Sequence, residues 1–401
     1  MCQLSFHRSH SALTTRRVVF CLAAFVPLFA CPWIAAASDI TILHSFSGIS
    51  GDGTGLAYEL ITDGTCLYSV AEYGPNNGGG AIFSLRPDGS QFQNIYSFSM
   101  YENGCYPTGI VLDGSTFYGT TLVSDGSSRP GSVFSVNKDG TGFTNLHKFT
   151  DSTPTDGALP YAAVIRVGSR LYGTTCVGGS ANNGTVFSVG IGGSDFQIMH
   201  SFTGESDGGR PYGRLTANGS TLYGMSTDGG GTIYSINADG SGYHVIYSGA
   251  GGAGSLTSNG AKLYGMSDDK VFSINNDGTG FQVLHELSGA SQSGLTLVGS
   301  TLYGMTRWGG TVNDGTIFRV NTDGSNYQVL HTFTGAANDG REPICNPLVI
   351  GNTLYGTASG GAYNNGIVFS MTVPEPSTFC LCGLAAIGLL GCQLRRQMKR
   401  E

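Results

Sequence analysis

Charge is scarce in this sequence: Asp, Glu, Lys and Arg together make up 12% of its 401 residues. No stretch of the central chain carries a sustained 3.6-residue apolar period, which excludes a helical body. No tract is regular enough for collagen or long enough for a disordered low-complexity segment. The common nucleophile and phosphate motifs are missing too, with no G-x-S-x-G, no H-E-x-x-H and no P-loop. Of ten cysteines, only Cys66, Cys105, Cys176 and Cys345 lie between the two apolar ends, and they show neither C-x-x-C nor His/Cys ligand spacing. A zinc site is therefore not expected. Export would permit a disulfide among the four, but spacing does not fix a pairing.

Glycine, at 64 residues, and aromatics, at 19 Tyr and 21 Phe, fill the space that charge leaves. The segment Leu302-Tyr303-Gly304-Met305 recurs as Leu67-Tyr68, Phe117-Tyr118, Leu171-Tyr172, Leu222-Tyr223, Leu263-Tyr264 and Leu354-Tyr355, at separations of 50, 54, 51, 41, 39 and 52 residues. Periods of that size signal a propeller, a solenoid or an array. Within the sixth unit, four short apolar or aromatic runs (295–298, 301–305, 316–320 and 327–333) are separated by turn residues, so each unit reads as four strands. Asp88-Gly89, Asp139-Gly140, Asp239-Gly240, Asp277-Gly278 and Asp323-Gly324, with Gly192-Gly193, join the third strand to the fourth and accept the positive φ of a tight hairpin. The seventh unit ends without a fourth strand, while residues 40–46 form an orphan strand of the fourth-strand type. Closure into a ring would pair the two and cover the edges that an open array exposes. The expected fold is all-β, a seven-bladed propeller of four-stranded antiparallel blades over residues 38–373.

The ends differ in character. Arg8, Arg16 and Arg17, an apolar run over 18–28 and Ala35-Ala36-Ala37 predict a signal helix over 1–37, cleaved between Ala37 and Ser38. Cys31, after Leu28-Phe29-Ala30, offers a rival lipoprotein reading. At the other end Pro374-Glu375-Pro376 precedes a 16-residue apolar stretch and a basic cluster over 395–400. This ending, 374–401, resembles the PEP-CTERM sorting signal of Gram-negative bacteria that make exopolysaccharide. The resemblance implies recognition by an exosortase, a transmembrane helix before processing, and a cell-surface or matrix destination. A simple tail anchor would give the same orientation. The body alone, with 13 Lys and Arg against 25 Asp and Glu, carries −12, which disfavours nucleic acid and anionic lipid as partners.

The hairpins resemble those of Tol-system periplasmic propellers, and the glycine pair after the second strand resembles kelch blades, although the kelch tryptophan is missing. The whole unit is similar to the Gloeobacter/Verrucomicrobia tandem repeat. Leu171-Tyr172-Gly173-Thr174-Thr175, Gly184-Thr185-Val186-Phe187 and Met199-His200-Ser201-Phe202-Thr203-Gly204 carry that likeness.

Loops from strand two to strand three, and from strand four to the next blade, emerge on one face. From the repeat tyrosine to the strand-three aromatic there are 15, 16, 15, 11, 8, 15 and 14 residues, longer and less regular than the opposite turns, so a site is expected on that face. Candidate ligand contacts there are Trp308 and Arg307, Asp207 with Arg210, Asp339 with Arg341, Asp156 and Tyr212, with Tyr101, Tyr106, Tyr161 and Tyr363 near them in the loops. Asp156, Asp207, Asp339 and Asp52 sit in Asp-Gly turns, where a carboxylate ring would suit Ca²⁺, but a turn repeated because the blade is repeated is the stronger explanation. His44, His147, His200, His285 and His331 share one strand-four position with Tyr96 and Tyr247, the mark of a repeat consensus. The repeat tyrosines are expected in the core, their glycines leaving room for the neighbouring sheet. Three functions follow: a non-enzymatic surface or matrix module binding exopolysaccharide or protein, an exported carbohydrate-active lyase or hydrolase using acidic residues of that face, Asp207 and Asp339 being a conceivable pair, or a purely structural surface protein. No catalytic residue is singled out.

Overall fold

A computed structural model describes residues 40–48, 52–74, 78–99, 102–124, 130–150, 156–290 and 293–373. The expected signal helix with its Ala37–Ser38 cleavage site, the sorting tail with Pro374, Glu375 and Pro376, and Tyr101 lie outside these residues. Among the described residues every regular element is a strand.

Seven antiparallel sheets form the blades. Blade six is representative: Thr296–Val298 pairs with Thr301–Thr306, that strand with Thr316–Asn321, and the last with Gln328–Thr332. Blade one departs by breaking its inner strand into Thr54–Ala57 and Ile61–Thr62. A two-stranded ribbon, Gly157–Ala158 with Val177–Gly178, is added beside blade three. The ring closes where Thr41–Ser45 lies antiparallel against Ile367–Thr372, with Thr41 opposite Ser370 and Ser45 opposite Ile367. The strand missing from the end of the chain is thus supplied by its beginning.

Apolar packing lies between blades. Seven clusters of buried side chains each join two neighbours; Tyr303 and Met305 of blade six, for example, meet Leu354 and Phe369 of blade seven. The repeat tyrosines are buried in these seams, Tyr303 to 1% exposure. Their following glycines, expected to admit the neighbouring sheet, all make room for the blade's own third strand, and Gly356 also admits Met305 of the neighbouring blade six. Gly304 stands directly opposite Phe318, and a Cβ there would meet the Phe318 ring at 2.5 Å.

The hairpin chemistry is also a variant of the expectation. Gly278 takes φ 84° but Asp277 is not in the left-handed region. Gly278 N–H donates to Asn275 O at 2.9 Å, and the Asp277 carboxylate accepts from the Thr279 amide at 2.9 Å. One positive φ therefore suffices, as in a type I turn followed by a left-handed glycine, and the aspartate is an Asx-turn acceptor. The same glycine lets blades approach, since a Cβ on Gly278 would lie 2.1 Å from Ile246 O of the preceding blade. Ile246 is the extra residue of a β-bulge, and every blade carries a register shift at that place in its fourth strand. Next to the bulge, the ring of one blade stacks on the aromatic that opens the next blade's fourth strand: His147 on Phe196 and His200 on Tyr243, both at 3.5 Å, and His285 on Tyr327 at 3.4 Å.

Candidate functional site

The Asp-Gly carboxylates do not converge. Each folds back on its own loop and on the strand-four histidine. Asp156 accepts from His147 Nε2 at 3.1 Å, from the Thr150 amide and hydroxyl at 3.0 Å and from Gly157 N–H at 2.8 Å. Asp339 accepts from His331 at 3.0 Å, from the Thr334 amide at 2.9 Å and from its hydroxyl at 2.7 Å. Asp207 meets His200 Nε2 at 3.3 Å and the Thr203 amide at 3.0 Å; Asp52 meets His44 at 3.2 Å and the Ser47 amide at 2.7 Å. Burial pushes the Asp156 carboxyl up, but its donors outweigh this and hold it below the ordinary value. The four aspartates cap the crossing from one blade to the next. Among the described residues no group of three or more His, Cys, Asp or Glu is placed to hold a metal ion. The four body cysteines are free thiols.

The arginines of that face are likewise engaged. Arg210 reaches Asp228 at 3.3 Å, Arg341 donates to Asn364 at 2.8 Å, and Arg307 donates through Nε and Nη2 to Glu342 at 3.1 and 3.0 Å. The Arg307 guanidinium also lies 4.8 Å from the Trp308 ring centroid.

What does converge is the inner wall of the ring. The residue eight positions before each repeat Leu or Phe is Glu59, Gly109, Ala163, Arg214, Ser255, Gly294 and Asn346, and all seven line one pocket of about 750 Å³ at the mouth of the central channel. Small residues dominate because inner strands crowd there: a Cβ on Gly213 would sit 2.1 Å from Gly254 O. The three large ones meet across the channel. Arg214 Nη1 reaches Glu59 Oε2 at 3.1 Å, its Nη2 donates to Oε1 at 3.2 Å, and Asn346 Nδ2 donates to Oε1 at 3.4 Å. This bidentate bridge makes a polar floor.

Aromatic rings stand above it. Tyr58, Tyr161, Tyr212 and Trp308 all line the pocket, with Tyr161 and Tyr212 at 5.2 Å between centroids. Burial, then the nearby Glu72 carboxylate, raises the Tyr58 phenol well above its ordinary value, keeping it a neutral donor. Burial likewise raises Tyr212. The pocket spreads over Thr227, Gly230, Gly252 and Asp268, where the loops of blades four and five are shortest. Of the sequence candidates, Trp308, Tyr161 and Tyr212 are brought together here. Asp156, Asp207, Asp339, Arg210, Arg341 and Arg307 are not among the lining residues, and Tyr106 packs on Tyr73 at 5.3 Å outside it. Glu59, Arg214 and Asn346 were not candidates; their signal is the single register position at which stacked units alternate between tiny and large polar residues.

This architecture is that of a repeat propeller. The family model "Gloeobacter/Verrucomicrobia repeat" matches residues 33–182 and 268–381, and the chain belongs to that family. The PEP-CTERM protein-sorting motif matches 372–396, which implies export, membrane-associated sorting in a Gram-negative bacterium and recognition by exosortase machinery. Among the curated proteins none matches the chain. Among solved structures it is similar to an oligogalacturonate lyase from Vibrio parahaemolyticus (TM-score 0.55, 14% identity, covering 84% of this chain and 94% of that one). An oligogalacturonate lyase in complex with manganese gives 0.53 at 12% identity, with the same two coverages. A puromycin-hydrolyzing peptidase of Mycobacterium tuberculosis gives 0.51 at 10%, covering 80% and 52%. At these identities the likeness extends to the propeller fold alone.

Proposed function

We propose that this protein is a non-enzymatic surface or matrix module that holds a polysaccharide chain in the channel-mouth pocket. The observation that carries the reading is the arrangement of Tyr58, Tyr161, Tyr212 and Trp308 around a floor closed by Glu59, Arg214 and Asn346. Aromatic rings offer apolar faces to a sugar and hydroxyls to its rim, and a few convergent polar groups fix orientation. Glu59, the carboxylate at the floor, has both oxygens engaged by Arg214, which favours holding a glycan over protonating or attacking one.

A glycan array probed with the purified protein tests this. The expected result is binding of a defined set of oligosaccharides, weakened at least about tenfold by Trp308→Ala, the loss of one central aromatic anchor, with no release of reducing ends. Binding that ignores the substitution, or cleavage of the bound oligosaccharide, would overturn it.

A further inference from the structure

Resting on that reading, we infer that the pocket selects neutral sugar chains and rejects those bearing carboxylate, sulfate or phosphate. Among the described residues, Arg214 is the single basic one in its lining, and its guanidinium is already matched by the Glu59 carboxylate through two contacts, 3.1 and 3.2 Å long. Two further cations of the same face are matched in the same way, Arg307 by Glu342 and Arg210 by Asp228. Asp268 adds an acidic group to the wall. With one Arg against Glu59 and Asp268, the described lining residues sum to −1, inside a body that carries −12.

An anionic sugar entering this pocket would lose hydration without gaining a counter-cation. It would also approach a surface of its own sign, which lowers both encounter rate and affinity. To recruit Arg214 it would have to displace Glu59 and leave that carboxylate unpaired, the costly way to break such a bridge. A neutral sugar incurs none of these costs. It needs ring faces, which Trp308 and the tyrosines provide, and hydrogen-bond partners, which Asn346 and the carbonyls of the glycine-rich wall provide. The discrimination is therefore built from the absence of an available positive charge among the described lining residues, not from a shape that excludes the acid.

Calorimetry on the full-length protein in mild detergent tests the inference. The probes are neutral oligomers of glucose, galactose and mannose, and oligomers of glucuronate and galacturonate of equal length. The neutral member of a matched pair is expected to bind at least about tenfold more tightly at low salt, with the ratio shrinking at high salt as charge is screened. Glu59→Gln, which unmasks Arg214, should lower the neutral-to-acidic affinity ratio by about tenfold, its thermal unfolding confirming a folded ring. Acidic oligomers that bind the unaltered protein as tightly as neutral ones, through Trp308, would overturn the charge selection and leave the binding role standing. A ratio that is unaltered in Glu59→Gln or insensitive to salt would also overturn it. Failure of both classes to bind would overturn the binding role along with it.

Discussion

Replacing Tyr234 with phenylalanine is expected to stabilise this protein. Six blades place phenylalanine at the middle of the third strand: Phe83, Phe134, Phe187, Phe272, Phe318 and Phe369. Blade four alone places a tyrosine there, opposite Gly224. Its ring is fully buried, packed at 5.2 Å on Phe202 and 5.6 Å on Tyr243, and its hydroxyl has no hydrogen-bond partner among the described residues. Burial correspondingly drives the phenol far above its ordinary pKa. A buried hydroxyl left unpaired costs about 1–3 kcal/mol. Removing it vacates roughly 10 Å³, worth about 0.2 kcal/mol of cavity penalty at about 24 cal/mol per Å³. A net gain of about 1–3 kcal/mol should remain. With unfolding entropy of about 2.1 cal/mol/K per residue, a body of roughly 330 residues changes by about 0.7 kcal/mol/K, so Tm should rise by about 1–4 °C. Differential scanning calorimetry at neutral pH resolves that shift. A fall in Tm would show that the hydroxyl is stabilising, and would refute the account of it as an orphan.

Other perturbations test the blade crossings and the thiols. Asp156→Asn should cost about 2–3 kcal/mol, because a buried, multiply bonded carboxylate is lost. Since the folded Asp156 titrates below its unfolded value, its contribution is complete above about pH 4 and fades as the pH falls through the folded pKa. The difference between variant and parent in denaturant melts should therefore hold above about pH 4 and shrink as the pH is taken below it; a constant difference would contradict the assignment. Burial pushes Cys105 and Cys176 to about 11 and raises Cys345, while Cys66 is half-buried. A thiol titrating near 11 is about one part in a thousand thiolate at pH 8. Iodoacetamide should thus label Cys66 well ahead of the other three, as peptide mass spectrometry would report. A disulfide between any two of them would contradict the structure.

The architecture was legible because it is stated seven times. Six Leu-Tyr pairs and Phe117-Tyr118 counted the blades, and the strand absent after Met371, set beside the orphan at 40–46, pointed to the closure that Thr41 and Ser370 make. The site was far less legible. Asp156, Asp207 and Asp339 drew attention as repeated carboxylates, yet repetition is what a structural cap requires at every crossing, and their oxygens are spent on His147 and Thr150, on Thr203, and on His331 and Thr334. Glu59, Arg214 and Asn346 sit in unremarkable local sequence, 155 and 132 residues apart. Their meeting is a property of the closed circle, in which one register position of every unit faces a common axis.

The places where the chain enters and leaves this circle have a bearing on how it would be displayed. Val373 N–H donates to Asn352 O in the tight turn between the first two strands of blade seven, and Ile40 leads into Thr41, opposite Ser370 near that same rim. The aromatic pocket opens on the other side, among the long connections. Fastening the molecule by the residues beyond Val373, to a bilayer or to any other acceptor, would stand it like a bowl on its base. The hollow would then face away from the point of attachment.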